Sequence, residues 1–185
     1  MQLEAVGIIE CSSIAMGHQV QDEMLKAAQV ELLLARTICS GKYLVAVAGS
    51  VANVKSSVDA GAHAAEDGII DQVLIPNVHP TVFPAISGQV ELKPEDVKAL
   101  GIVETFSAAS AVMAADAAVK AGSVKLFRVH LAMAIGGKGF VMMTGDVSGC
   151  RMAVAAGAES AADHGLLVNR IVIPGPSPEL FREYI

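Results

Sequence analysis

The chain of 185 residues repeats itself, and this repeat constrains the possible folds more than any other feature. The segment Gly7-Ile8-Ile9-Glu10 matches Gly101-Ile102-Val103-Glu104, which lies 94 residues further along the chain. The offset then grows to 96 and 98 residues, where Ile75-Pro76 matches Ile173-Pro174. Because the matches keep their order while the offset grows in small steps, the pattern indicates a tandem duplication with short loop insertions.

The duplication predicts two homologous domains, covering residues 1–88 and 99–185. A polar linker over residues 89–98 is expected to join them, since charged residues and a proline cluster there. Each domain is long enough to form a small hydrophobic core.

Each repeat predicts the element order β-α-β-β-α-β. In the first repeat, apolar runs predict strands over residues 5–11, 30–38, 43–48 and 73–75. Ser12 or Ser13 is expected to cap a helix that reaches about Ala28, and Ser50 is expected to cap the second helix, with Asp146 at the equivalent place in the second repeat. Residues 39–42 then form a hairpin turn. This order is ferredoxin-like, in the α/β (α+β) class.

The amino-acid composition limits the kinds of partner that fit this chain. Charged residues make up only 17 % of the chain, so we expect other subunits to cover part of its surface. Acidic residues outnumber basic ones by 19 to 13, and aromatic residues make up 4 % with no tryptophan. These values argue against a nucleic-acid partner, which would favour a basic or base-stacking surface.

We also expect no membrane partner and a cytoplasmic location. The charge-free run over residues 72–90 contains Pro76, Pro80 and Pro84, which argue against a membrane-spanning helix. The first residues carry no basic segment typical of a secretory signal. The chain has only three cysteines, a small and odd number that does not suit a disulfide framework. This count fits a reducing compartment.

Each repeat resembles a bacterial microcompartment (BMC) shell domain. The stretches that carry this resemblance occur twice, in order, along nearly the whole chain: Ala5-Val6-Gly7-Ile8-Ile9-Glu10, Asp22 with Lys26-Ala27, and Gly41-Lys42 with Gly49-Ser50-Val51; then Ala99-Leu100-Gly101-Ile102-Val103-Glu104, Asp116 with Lys120-Ala121, and Gly137-Lys138 with Gly145-Asp146-Val147. The resemblance implies a structural shell protein, not an enzyme. Tandem-domain members form pseudohexameric homotrimers with a central pore, which meet other BMC shell proteins at their edges.

The segment Thr37-Ile38-Cys39-Ser40-Gly41-Lys42 resembles the branch of the family associated with propanediol-utilising compartments. In that branch the cysteine of this loop lines the pore and is associated with an iron–sulfur cluster. The resemblance therefore implies that Cys39 is a metal ligand. Three copies would hold one cluster per trimer, a [4Fe-4S] cluster in our expectation, for electron transfer or cluster exchange with a redox enzyme of the lumen or cytosol.

The resemblance also implies roles for other residues. Pore-lining positions are expected in both loops: Ile38, Ser40 and Gly41, and Ile135, Gly136 and Gly137. Lys26 and Lys120 are expected at the edge of the tile. Two departures stand out. Ser40 replaces an expected proline, and the segments after the last strand of each repeat lack the arginine that joins neighbouring tiles in many single-domain members.

The residues alone leave other interpretations open. Cys39 also fits an ordinary reduced cysteine in a turn, and Gly137 fits a glycine that a hairpin needs for its positive φ. Lys42 and Lys138 are also consistent with lysines that solvate the hairpins. Lys26 and Lys120 also fit simple i,i+4 ion pairs with Asp22 and Asp116. Cys11 and Cys150 are expected in the core. The scattered histidines show no metal-ligand spacing. Alternative functions are a metal-free tile whose pore passes a small metabolite, and a ferredoxin-like oligomeric regulator or enzyme.

Overall fold

A computed structural model describes residues 3–182, except for the side chain of Pro94. It shows the same elements twice in the same order, so the predicted pair of β-α-β-β-α-β domains is confirmed. The first repeat consists of β1 (Ala5–Cys11), α1 (Ile14–Ala27), β2 (Glu31–Ile38), β3 (Lys42–Gly49), α2 (Val51–Ala65) and β4 (Ile69–Ile75). The second consists of β5 (Ala99–Thr105), α4 (Ala108–Ala121), β6 (Val124–Leu131), β7 (Gly139–Gly145), α5 (Val147–Ala162) and β8 (Leu167–Pro174).

One short helix, α3 (Val82–Ser87), follows the first repeat and was not predicted. It contains Pro84 and ends at Gly88, whose φ of 67° allows the left-handed C-cap. Its N-terminal half tolerates the proline, because the first turn of a helix has no intrahelical use for the missing N–H.

Each repeat forms its own antiparallel sheet, in the order β2-β3-β1-β4 and β6-β7-β5-β8. The strands β1, β3, β5 and β7, which are mostly buried, lie inside their sheets, and β2, β4, β6 and β8 form the edges. Register follows the duplication, since Gly7 pairs with Val47 in the first sheet and Gly101 pairs with Met143 in the second.

Helices pack on one face of each sheet, and a glycine in the central strand permits the close approach. A methyl group on Gly7 would lie 2.4 Å from Val58 Cγ2 of α2, and one on Gly101 would lie 2.7 Å from Val154 Cγ2 of α5. Any side chain at either position would push the helix away from the sheet. This shared requirement explains why both repeats keep glycine there.

The other face of the second sheet is covered by parts of the chain outside the repeat elements. Phe127 and Phe181 pack with ring centroids 6.0 Å apart, and Leu92, Leu100 and Met142 complete this buried cluster. Leu92 comes from the segment that the sequence indicated as a polar linker, so this segment contributes an apolar residue to the core.

The contacts of the chain divide it into two compact units. The first contains residues 3–78 and 132–137, and the second contains residues 79–131 and 138–182. The segment 132–137 connects β6 to β7 in sequence, yet it packs with the first unit. This placement brings part of the second repeat to the turn that contains Cys39.

Two of the three expected helix caps, Ser50 and Asp146, are confirmed, and Ser107 caps α4 without having been expected. The side chains of Ser50, Ser107 and Asp146 accept hydrogen bonds from the backbone N–H groups of the residues three positions later. Ser13 occupies the N-cap position of α1, but its side chain makes no such bond. Ser13 is therefore the residue at the N-cap of α1, as expected, but its side chain does not cap the helix.

Candidate functional site

Cys39 lies where β2 turns into β3. Residues Cys39–Gly41 form a short 3₁₀ turn, in which Ser40 (φ 67°) and Gly41 (φ 71°) have left-handed backbone conformations. The strand register ends with Ile38 opposite Lys42, so the turn projects beyond the last paired residues. Cys39 is half-buried, whereas Cys11 in β1 and Cys150 in α5 are fully buried, as expected for core thiols.

The segment 132–137 packs against this turn. The backbone N–H of Cys39 donates to the carbonyl oxygen of Ala132 at 3.2 Å. Four residues of the segment have positive φ: Ala132, Ala134, Gly136 and Gly137. Left-handed residues placed among right-handed or extended ones turn successive N–H groups toward one side, which forms a concave site for an anion.

These amides act on the sulfur of Cys39. Hydrogen bonding from the backbone N–H of Gly136 lowers the pKa of the Cys39 thiol, with further lowering from the amides of Ile135, Gly137 and Ala134. Desolvation opposes this effect without overcoming it. Burial instead raises the pKa of Cys11 to about 11 and also raises that of Cys150. Cys39 is thus the cysteine most readily present as thiolate, which is the form that binds metals.

The residues present fit one ligand of an iron–sulfur cluster. Thiolates are the usual ligands of such clusters, and amide N–H groups around the sulfur stabilise its negative charge. Within residues 3–182, no three His, Cys, Asp or Glu side chains of one chain gather to hold a metal ion.

A buried ion pair supports the same turn. Lys42 Nζ lies 2.7 Å from Glu10 Oε1, and the Glu10 side chain is fully buried. A methyl group on Gly137 would lie 3.6 Å from Lys42 Nζ, so the lysine also reaches the segment 132–137. The interpretation that Lys42 only solvates the hairpin is therefore wrong, because its ammonium group neutralises a carboxylate in the core.

The second repeat contains the equivalent pair in a more open setting. Lys138 Nζ lies 2.9 Å from Glu104 Oε1, and the two side chains are 40 % and 34 % exposed. Lys138 is thus also an ion-pair partner rather than only a solvating group. Its weaker burial makes this pair a natural comparison for Lys42 and Glu10.

The structure brings some predicted site residues together and separates others. Near Cys39, Ser40 and Gly41 are exposed, Ile38 is buried, and the amides of Ile135, Gly136 and Gly137 face the sulfur. Lys26 and Lys120 lie away from this site, in the last turns of α1 and α4. There they form the expected i,i+4 ion pairs with Asp22 and Asp116.

Sequence reasoning missed two features of the site. It did not indicate that backbone amides of the second repeat act on the sulfur of Cys39. It also matched Glu10 with Glu104 and Lys42 with Lys138 without inferring that each glutamate pairs with the lysine of its own repeat. That matching of opposite charges was a usable signal for the two ion pairs.

None of the helices within residues 3–182 is both long enough and apolar enough to cross a membrane.

Comparison with known proteins identifies the family. The model of the BMC domain matches this chain twice, over residues 5–78 and 99–176. The bacterial microcompartment shell protein PduT of Citrobacter freundii is 45 % identical over 182 residues, which cover 98 % of each chain. The shell protein EutM of Salmonella typhimurium is 42 % identical over 84 residues, covering 45 % of this chain and 85 % of EutM.

A solved structure agrees with these matches. A microcompartment protein from Desulfitobacterium hafniense DCB is 49 % identical, with a TM-score of 0.90, over 98 % of this chain and 99 % of that one. The resemblance stated from the sequence is thereby confirmed, including its PduT-like character and the expected location in a microcompartment shell. The chain belongs to the BMC-domain family of bacterial microcompartment shell proteins and carries two BMC domains in tandem.

Proposed function

We propose that three copies of this shell protein form a pseudohexameric ring around a central pore, and that their Cys39 thiolates hold one iron–sulfur cluster there. Two BMC domains per chain give six domains per trimer, and EutM, a relative, matches this chain over a single domain's length. The low charged fraction of 17 % also favours a chain whose surface is partly covered by other subunits.

The single observation that carries the cluster proposal is the thiol of Cys39 within the amide-lined segment 132–137. An ordinary cysteine in an exposed turn would not need four left-handed residues folded around it. Three thiolates on one axis would bind three irons of a [4Fe-4S] cluster and leave the fourth for a non-protein ligand.

The cluster would supply one-electron transfer when bound, and the protein would supply its setting. The amides of segment 132–137 stabilise negative charge on the Cys39 sulfur, and the Lys42 ammonium group lies next to the same segment. Ile38, Ser40, Gly41, Ile135, Gly136 and Gly137 would line the pore around it. We propose that electrons pass across the shell by this route, or that the cluster is exchanged with a redox enzyme as partner.

We further propose that Lys26 and Lys120 contribute to contacts between neighbouring tiles. Both end the first helix of their repeat, and Lys26 is the more exposed, at 67 % against 42 % for Lys120. If the wild-type protein forms extended sheets, Lys26→Ala should shorten or abolish them in electron micrographs, while native mass spectrometry still finds trimers. Extended sheets of unchanged order from the double variant Lys26→Ala/Lys120→Ala would contradict this assignment.

The test of the cluster proposal is the variant Cys39→Ala, purified without oxygen. We expect loss of brown colour, of protein-bound iron and of the EPR signal after reduction, with trimers unchanged. The matched control is Cys150→Ala, which removes a buried thiol and should keep iron at the wild-type level. Stoichiometric iron in Cys39→Ala would contradict the proposal, and iron-free wild-type trimers after reconstitution would favour a metal-free tile that passes a metabolite.

A further inference from the structure

The first helix of each repeat is buried to a very different extent. Nine residues of α4 are buried, whereas only Gly17, Val20 and Met24 are buried in α1. The edge strands beside them differ in the same direction, since β6 has four buried residues and none exposed, whereas β2 has one buried residue and three exposed. The second repeat therefore has a covered helix and edge strand, and the equivalent surface of the first repeat is open.

The cover of the second repeat comes from the segment that directly follows β4. Its helix α3 packs against β6 and α4. At the start of this segment, the backbone N–H of His79 donates to Asp116 Oδ1 at 2.8 Å. Asp116 also pairs with Lys120, and its side chain is only 9 % exposed.

The first repeat has the same acceptor in an open position. Asp22 matches Asp116 in the duplication and pairs with Lys26, as Asp116 pairs with Lys120. Its side chain, however, is 56 % exposed. Apolar side chains of α1 and β2 are also exposed, with Leu25 at 38 % and Leu32 at 39 %. The first repeat thus presents an exposed carboxylate and exposed apolar side chains on α1 and β2, the elements whose counterparts α4 and β6 are covered.

The loop that carries the donor His79, which follows β4, has a counterpart after β8. Asn77 and Gly175 occupy equivalent positions and have left-handed φ values of 50° and 56°. The two loops bond to equivalent carbonyl groups through donors one position apart, because the N–H of Val78 donates to Glu4 O and the N–H of Gly175 donates to Lys98 O. Two residues after Gly175 comes Ser177, which stands where His79 stands and likewise precedes a proline. Ser177 is exposed.

We infer that the backbone N–H of Ser177 in one copy binds the carboxylate of Asp22 in the next copy, where it repeats the bond between His79 and Asp116. The chain then carries an open acceptor in its first repeat and an open donor loop after its second. Such a head-to-tail contact closes into a ring when the rotation between copies fits. This inference rests on the proposed trimer and specifies where its subunits meet.

Disulfide cross-linking tests the contact directly. Asp22→Cys and Ser177→Cys are combined in a Cys39→Ser background, because Cys11 and Cys150 are buried. Mild oxidation should then give covalent dimers and trimers on a non-reducing gel, since a backbone hydrogen bond to this side chain brings the two residues within disulfide range. The matched control, His79→Cys with Asp116→Cys, should close within one chain and stay at monomer size. Either single variant should give no trimer.

A second measurement does not depend on disulfide geometry. Asp22→Ala should raise the apparent dissociation constant of the trimer by about tenfold, because a charge-assisted hydrogen bond is lost at each contact. Glu23→Ala is the control, since Glu23 is the exposed neighbour on α1 and should leave that constant unchanged. Trimers that neither cross-link nor weaken would overturn the contact while leaving the proposed function standing. A monomeric wild-type protein would overturn both.

Discussion

At the scale of single residues, the sulfur of Cys39 is distinguished by its surroundings. Amides from the segment 132–137 lower its pKa, whereas burial raises the pKa of Cys11 to about 11. In the iron-free protein, iodoacetamide should therefore alkylate Cys39 with a midpoint pH below 9.0, the ordinary value for a thiol. Mass spectrometry of tryptic peptides over a pH series measures this midpoint. A midpoint at or above 9.0 would show that the amides do not stabilise the thiolate.

The two ion pairs beside the hairpins provide a second residue-scale prediction. Lys42→Met removes the ammonium group that faces the fully buried Glu10, and we expect a loss of about 3 kcal/mol in the free energy of unfolding. Lys138→Met is the matched control and should cost about 1 kcal/mol or less, because its pair with Glu104 is partly exposed. Urea unfolding followed by circular dichroism measures both. Equal losses would mean that burial of Glu10 is not what makes the first pair important.

The sequence indicated Cys39 only through the family resemblance, and a physical reason limits what the residues alone could show. The amides that act on its sulfur lie almost one hundred residues further along the chain, in Ile135 to Gly137. No local pattern reports such a contact. The glycines of that segment indicated a turn, but which group the turn encloses depends on the tertiary structure.

At the scale of elements, equivalent helices begin with different caps. Ser107 Oγ accepts a hydrogen bond from the N–H of Ser110 at 3.0 Å, whereas the side chain of Ser13 makes no capping bond in α1. Ser107→Ala should therefore lower the free energy of unfolding by about 1 kcal/mol. Ser13→Ala should change the free energy of unfolding by much less than this, because no capping bond is lost. Thermal unfolding of both variants measures the difference. A Ser13→Ala variant as unstable as Ser107→Ala would contradict this account of the caps.

Element order was predictable because each strand and helix follows a local pattern that occurs twice. The strands of the first repeat begin and end within four residues of their expected positions: β1 has its expected bounds, and β4 starts at Ile69 rather than at residue 73. The short helix α3 was missed because six residues with Pro84 among them show no helical periodicity. Its position is set by packing against β6 and α4, which is tertiary information.

At the scale of the whole molecule, the two repeats have the same strand order but differ in how far their first helix and edge strand are buried. The surface of α4 and β6 is covered within the chain, and that of α1 and β2 is open. An unmatched pair of surfaces of this kind suits a protein that assembles head to tail. The low charged fraction predicted only that other subunits cover part of the surface, because composition does not say which surfaces meet.

Anaerobic native mass spectrometry of the freshly purified wild-type protein tests the central claim most directly, since it reports subunit number and bound mass together. The account predicts a trimer that carries one additional mass of the size of an iron–sulfur cluster. A trimer that stays bare after reconstitution would contradict the role of Cys39 as a ligand, and a monomer would contradict the ring itself.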